Sequence, residues 1–210
     1  MSRILTAAIL VPVVVWIILY SPPWAFVAAL AIVGGLALRE FYEIGRAAQM
    51  SIVAAALAGI IYIYGAWTTA YFLRAINQHW LLFAFLLCWA GDTAAMYVGK
   101  AFGRHKLAPV ISPAKTLEGA AASVAGGVLI GVLYLHFFLP AISIGALIAI
   151  GIAGNVAGQL GDLAESWFKR RAGVKDSGNS LPGHGGWLDR IDSSLFSVPV
   201  VYFLVQYTVR

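Results

Sequence analysis

The amino-acid sequence predicts an all-α integral membrane protein, a bundle of about seven transmembrane helices with a cytoplasm-facing polar cavity. Three observations predict it. The chain of 210 residues is 61% apolar and only 11% charged, with a mean hydropathy of +0.85, so it lacks the polar shell that a soluble core of this size needs. Its apolar residues fall into runs of roughly the 20 residues that cross a bilayer. Its 14 Lys plus Arg and 9 Asp plus Glu gather between those runs, mostly on one side. The same composition excludes a disordered chain, a coiled coil and a repeat solenoid, and no nucleic-acid partner is expected.

In chain order the runs are Ile4 to Tyr20, Trp24 to Leu38, Ile52 to Leu73, Trp80 to Val98, Ala120 to Leu139, Ile142 to Phe168 and Ser193 to Val209. The first is read as an anchor, because it leads into Ser21-Pro22-Pro23 rather than a small-residue cleavage site. The second is short and carries Gly34-Gly35. The sixth turns polar from Gln159 onward. Residues 1–210 therefore form a single membrane domain, with N-terminal spans over 4–73 and a polar half over 80–210 whose loops are 99–119 and 169–191.

A cytoplasmic N-terminus leaves only Arg74 and Arg210 of the 14 cations outside, which predicts a multi-pass protein of the inner membrane with its polar loops in the cytoplasm. The acids fall on that side or in the inner half of a span. Asp92 and Asp162 lie roughly 10 to 12 Å deep at about 1.5 Å per residue. A charge there costs about 2.5 to 3.5 kcal/mol even on the mildest scale, so both are expected to line a wet cavity or bind a cation. Cys88 is expected to be a small buried hydrophobe. Gly127 to Gly131 and Gly154 to Gly158 are G-x-x-x-G spacings; packing within the chain is the first account of them and homodimerisation the second.

The stretch from Gln159 to Ser193 carries most of the chemistry. Asp162, Glu165, Ser166 and Lys169 recur at helical spacing and share one face. Asp189 and Asp192 stand three apart where the last helix is expected to begin. Hard oxygen ligands from two helix ends, with no cysteine or paired histidine near, suit Mg²⁺ rather than zinc. Pro182-Gly183-His184-Gly185-Gly186 frees successive amides for an anion nest, and Lys169, Arg170, Arg171 and Lys175 add positive charge. Together they describe a site for a polyphosphate with its metal; a basic loop whose acids cap helices is the plainer account. His184 is read as a ligand contact or loop-former, since a phosphate oxygen is already anionic and needs no base.

A second polar segment runs from Gly91-Asp92-Thr93 to Ile111-Ser112-Pro113-Ala114-Lys115-Thr116-Leu117-Glu118-Gly119. Thr116 is expected to cap the fifth helix, with Glu118 in its first turn. Ser112 and Lys115 are expected at that helix N-terminus, where phosphate binds readily.

The run from Ser166 to Asp192, Ser-x-Phe-Lys-Arg-x4-Lys-Asp-x-Gly-x2-Leu-Pro-Gly-His-Gly-Gly-x-Leu-Asp-Arg-Ile-Asp, resembles the signature of the phosphatidate cytidylyltransferases, or CDP-diacylglycerol synthases. The Asp92-Thr93 span and the Ser112 to Gly119 loop also resemble that family. The resemblance implies transfer of a cytidylyl group from CTP to phosphatidate in phospholipid biosynthesis, with Mg²⁺ and room for a monovalent cation such as K⁺. It implies metal binding by Asp162 and Asp189, with Asp192 in support, and a catalytic role for Lys169. Substrate contacts are expected from Asp92, Ser112, Lys115, Thr116, Ser166, Arg170, Lys175, Asp176, His184, Gly185, Gly186 and Arg190. Ala114 stands where the family's loop often has a second lysine, and many members are about two spans longer near the N-terminus. A CTP-dependent lipid kinase and a transporter are the alternatives.

Overall fold

A computed structural model of the chain describes residues 2–180 and 185–208, with side chains from residue 8 onward. The expected contact of His184 and the outside placement of Arg210 lie outside the described residues. The elements are α1 (Ser2–Tyr20), α2 (Pro23–Ala47), α3 (Ile52–Ile76), α4 (Gln78–Phe102), β1 (Lys106–Ala108), β2 (Ser112–Thr116), α5 (Leu117–Phe138), α6 (Ile144–Arg171), the one-turn α7 (Leu188–Ile191) and α8 (Ser194–Thr208). Among the described residues the protein is all-α but for one hairpin.

Helices α2 to α6 are each long and apolar enough to cross a membrane, and α1 adds a shorter apolar segment, Ala8–Tyr20. Helix α8 has 15 described residues, about 22 Å at 1.5 Å per residue. Several helices outrun their hydropathy: α2 continues through Arg39 and Glu40 to Ala47, and α6 ends only at Arg171. Charged residues are good helix formers, so an apolar run marks the buried length and not the helix end.

Four helices start on a side-chain cap: Ser51, Asn77, Thr116 and Ser143 accept from Ala54, His79, Gly119 and Ala146 amides respectively. The Thr116 cap matches its expected role. Its neighbours differ from expectation, because 106–116 forms a hairpin instead of a plain loop, with Lys106 opposite Thr116 and Ala108 opposite Ser112. Ser112 and Lys115 therefore ride on β2, ahead of the helix terminus.

Short connections make neighbouring helices antiparallel, which sorts the side chains to two ends. At one end Arg74 of α3 donates to the carbonyls of Ile18 and Ser21 and stacks over Phe26. At the other end lie the hairpin and the 172–187 loop. Helix α4 is central, packing against α1, α3, α5, α6 and α8, and its Trp80, Phe83 and Leu87 are fully buried.

Both G-x-x-x-G pairs serve this packing within the chain. A Cβ on Gly127 would stand 2.5 Å from the Leu87 carbonyl oxygen, and one on Gly154 would stand 2.7 Å from Val201. Buried Asn155 then ties three helices together, donating to the carbonyls of Leu87 (2.8 Å) and Ser123 (3.2 Å) while Gln159 donates to its Oδ1. Gly127→Val should therefore force α4 and α5 apart and lower detergent stability by about 1–3 kcal/mol or more. Gly65→Ala, which meets nothing within 4 Å, should change it by less than about 1 kcal/mol. Thermal unfolding of the two purified variants checks this.

Candidate active site

Two cavities extend from the polar end and share one residue, Asp92, the first running along the bundle as far as Phe26 beneath Arg74. The first, about 320 Å³, has apolar walls from α1 to α4, including Val14, Phe26, Leu30, Trp67 and Phe85, over a floor of Asp92, Asp189, Arg190, Asp192, Ser193 and Ser194. The second, about 330 Å³, is lined by Asp92, Lys100, Lys115, Thr116, Ser123, Gln159 and Asp162. Thus a greasy chamber and a polar one meet at a carboxylate. Asp92 sits there because Gly91, with Ser123 and Asn155 against it, lets α4 approach α5 and α6.

The acids of α6 divide between two flanks. Asp162 accepts from Ser166 Oγ at 3.3 Å and pairs with Lys115 Nζ at 2.5 Å, facing the polar chamber. Three positions further along, Glu165 points inward, with Lys169 one turn beyond it: the Lys169 ammonium lies 2.6 Å from Glu165 Oε2 and 2.5 Å from Asp189 Oδ1. Asp189 also accepts at Oδ2 from the amides of Ser177 and Gly186, both at 2.9 Å. Burial alone would raise its pKa, but the Lys169 hydrogen bond and those amides hold the carboxyl below the usual carboxylate range.

Asp162 and Asp189 thus do not share one pocket, contrary to expectation. Asp162 on α6 and Asp189 on α7 line different cavities, and each has its own lysine. Asp192 lies in the turn between α7 and α8, accepting from the Ser193 amide at 2.6 Å, so the last long helix begins after both signature acids. Burial, then the charges of Asp162 and Glu165, push the Asp192 carboxyl well above the usual range.

The other expected residues scatter. Arg170 braces the hairpin against the loop by donating to the carbonyls of Ile111 and Val174. Gly185 adopts φ +76, the left-handed turn that glycine permits. Arg190 lines the apolar chamber, Lys175 and Asp176 are exposed, and Ser112 lines neither cavity.

Could these residues hold a divalent cation? Among the described residues no three His, Cys, Asp or Glu side chains form a ready cage. Mg²⁺ does not need one, since it usually takes one or two carboxylates and completes its shell with water and substrate phosphates. The donor set fits that mode. Among the described residues, five hard-oxygen acids, Asp92, Asp162, Glu165, Asp189 and Asp192, are ion-paired only by Lys115 and Lys169, and the buried Oε1 of Glu165 has no hydrogen-bond partner.

A family model described as Cytidylyltransferase family matches residues 1–79 and 73–208. The chain belongs to the cytidylyltransferase family. Its curated relatives include proteins named phosphatidate cytidylyltransferase from Staphylococcus haemolyticus and Staphylococcus saprophyticus, each 42% identical over 158 residues, 75% of this chain and 59% of the relative. The protein of that name from Staphylococcus aureus strain COL is 42% identical over 149 residues, 71% of this chain and 57% of its own length. This cytidylyltransferase-family chain spans under three fifths of the length of these relatives.

The sequence reading missed Glu40, Asn155 and the inward role of Glu165. Helical spacing carries a signal for Glu40: it falls between buried Ala37 and Ile44 at i+3 and i−4, whereas Arg39 and Glu43 pair on the exposed face. For the central lysine of this family member, Lys169→Met should strand two buried carboxylates and cost about 3–5 kcal/mol. Lys115→Met, whose ion pair with Asp162 has side chains 26% and 27% exposed, should cost about 1 kcal/mol or less. Denaturation of both variants in detergent gives the comparison.

Proposed function

We propose that the chain is a phosphatidate cytidylyltransferase, using CTP and phosphatidate to make CDP-diacylglycerol and pyrophosphate for phospholipid synthesis. The observation that carries this is the junction of the two cavities at Asp92. An apolar chamber floored by charged groups suits a lipid phosphate with its acyl chains among α1 to α4. A polar chamber bearing Lys100, Lys115 and Thr116 suits a nucleotide triphosphate. Where they meet, an anionic oxygen of the lipid phosphate attacks the α-phosphorus of CTP; the new P–O bond forms as the bond to the β-phosphate oxygen breaks, and pyrophosphate leaves. No side chain need remove a proton, because the attacking oxygen is already ionised.

The residues then position and neutralise. Lys115, paired with Asp162, and Lys169, paired with Glu165 and Asp189, exchange carboxylate partners for substrate phosphates. Asp162 and Asp192 would hold Mg²⁺, and Asp189 would join them only by swinging out of the cavity it now faces once Lys169 releases it. Bound there, the ion would neutralise charge on the α-phosphate and on departing pyrophosphate. The cation distribution supports a cytoplasmic N-terminus and a site open to the cytoplasm of an inner membrane. A lipid kinase is not favoured by the relatives' names, and a transporter is not favoured by polar chemistry gathered at one end.

With CTP labelled on its α-phosphate, purified protein should pass label to lipid only when phosphatidate and Mg²⁺ are both present. Label reaching lipid from the γ-phosphate instead would overturn the assignment. Asp162→Asn should lower kcat by about 10²- to 10³-fold, the usual scale for losing one charge-stabilising group, in the same assay.

A further inference from the structure

Glu40 is an acid of α2, far in sequence from the signature loop, yet it is only 4% exposed and its carboxylate is filled entirely from that loop. Oε1 accepts from Ser180 Oγ at 2.8 Å and the Trp187 amide at 3.1 Å. Oε2 accepts from Ser177 Oγ at 2.8 Å and the Leu188 amide at 2.9 Å. All four donors lie in 177–188, so both ends of the loop close on one side chain. The fit leaves no slack: a Cβ on Gly178 would stand 2.9 Å from Oε1, and one on Gly186 would stand 2.2 Å from Oε2.

We infer that Glu40 is a positioning residue that sets the aim of Asp189 and of the chamber floor beside it. Ser177 makes the link: its hydroxyl donates to Glu40 while its amide donates to Asp189 Oδ2. The other amide on Oδ2 belongs to Gly186, next to the Trp187 amide that Glu40 holds. Both backbone bonds that orient Asp189 are thus adjacent to bonds that end on Glu40. Leu188 opens α7, and Trp187 provides no side-chain cap, so Glu40 supplies that cap from another helix. Because α2 also gives Phe26, Leu30 and Val33 to the apolar chamber, the same helix builds the chamber wall and fixes its floor. Charge-assisted bonds of this kind are short and directional, which suits a group that fixes geometry rather than one that reacts.

This inference rests on the cytidylyltransferase assignment for its kinetic part only. Wild type, Glu40→Gln and Glu40→Ala are to be compared by kcat, KM for CTP, and hydrogen exchange at the Trp187 and Leu188 amides, with Glu43→Gln on the exposed face as control. Glu40→Ala should lower kcat by about 10²-fold, the scale expected when a reacting group is misplaced by about an ångström, while KM changes by less than about 3-fold and both amides exchange faster. Glu40→Gln should fall between, since its NH₂ must face a backbone N–H that cannot accept; it decides the matter if the alanine variant does not fold. Variants that keep wild-type kcat overturn the inference. So do unchanged amide exchange rates, a readout that stands even if the wild type transfers no cytidylyl group and the assignment itself fails.

Discussion

Negative charge in excess, held at one end of an apolar bundle, is the constraint on which the rest of this structure depends. A buried ion pair is costly to assemble and more costly to break. Lys169 meets that cost by lying between Glu165 and Asp189, joining α6 to the segment before α8. Lys115 joins the hairpin to α6 in the same way through Asp162. Neither lysine exhausts the acids: among the described residues Asp92 and Asp192 make no ion pair, and the buried Oε1 of Glu165 has no hydrogen-bond partner. In the proposed reaction, a metal-bearing triphosphate would bring positive charge to this site and take the lysines in return.

The bundle provides the frame for this arrangement. Small residues on α5 and α6 bring the central helix close, Asn155 locks the three together, and Asp92 is thereby set between the greasy chamber and the polar one. Helix α2 contributes from the other side, with apolar residues toward the chamber and Glu40 toward the loop. The N-terminal helices are therefore part of the site's construction and more than a membrane anchor.

Much of this was legible in the sequence. Composition and apolar runs gave the membrane class and the order of the long helices, because burial in lipid demands length and hydrophobicity in each span. The Thr116 cap was equally readable, being a local pattern. The sequence did not disclose that 106–116 pairs as a hairpin, or that α2 and α6 continue beyond their apolar runs, since neither follows from hydropathy. Nor did it disclose the separation of Asp162 from Asp189. Side chains seven or more positions apart, and on different elements, meet or miss according to helix rotation, which packing decides. Glu40 lies at the far limit of that problem: its partners are more than 130 residues away, and only its place on the buried face of α2 hints at them.

The most direct test of the central claim is Mn²⁺ binding, followed by electron paramagnetic resonance on the detergent-solubilised protein with and without CTP, no lipid being present. Wild type should bind Mn²⁺ weakly alone and much more tightly with CTP, and Asp162→Asn and Asp192→Asn should each lose most of that gain. Equal Mn²⁺ affinity with and without CTP, or a gain undiminished in both variants, would contradict a carboxylate cluster completed by a metal-bearing nucleotide.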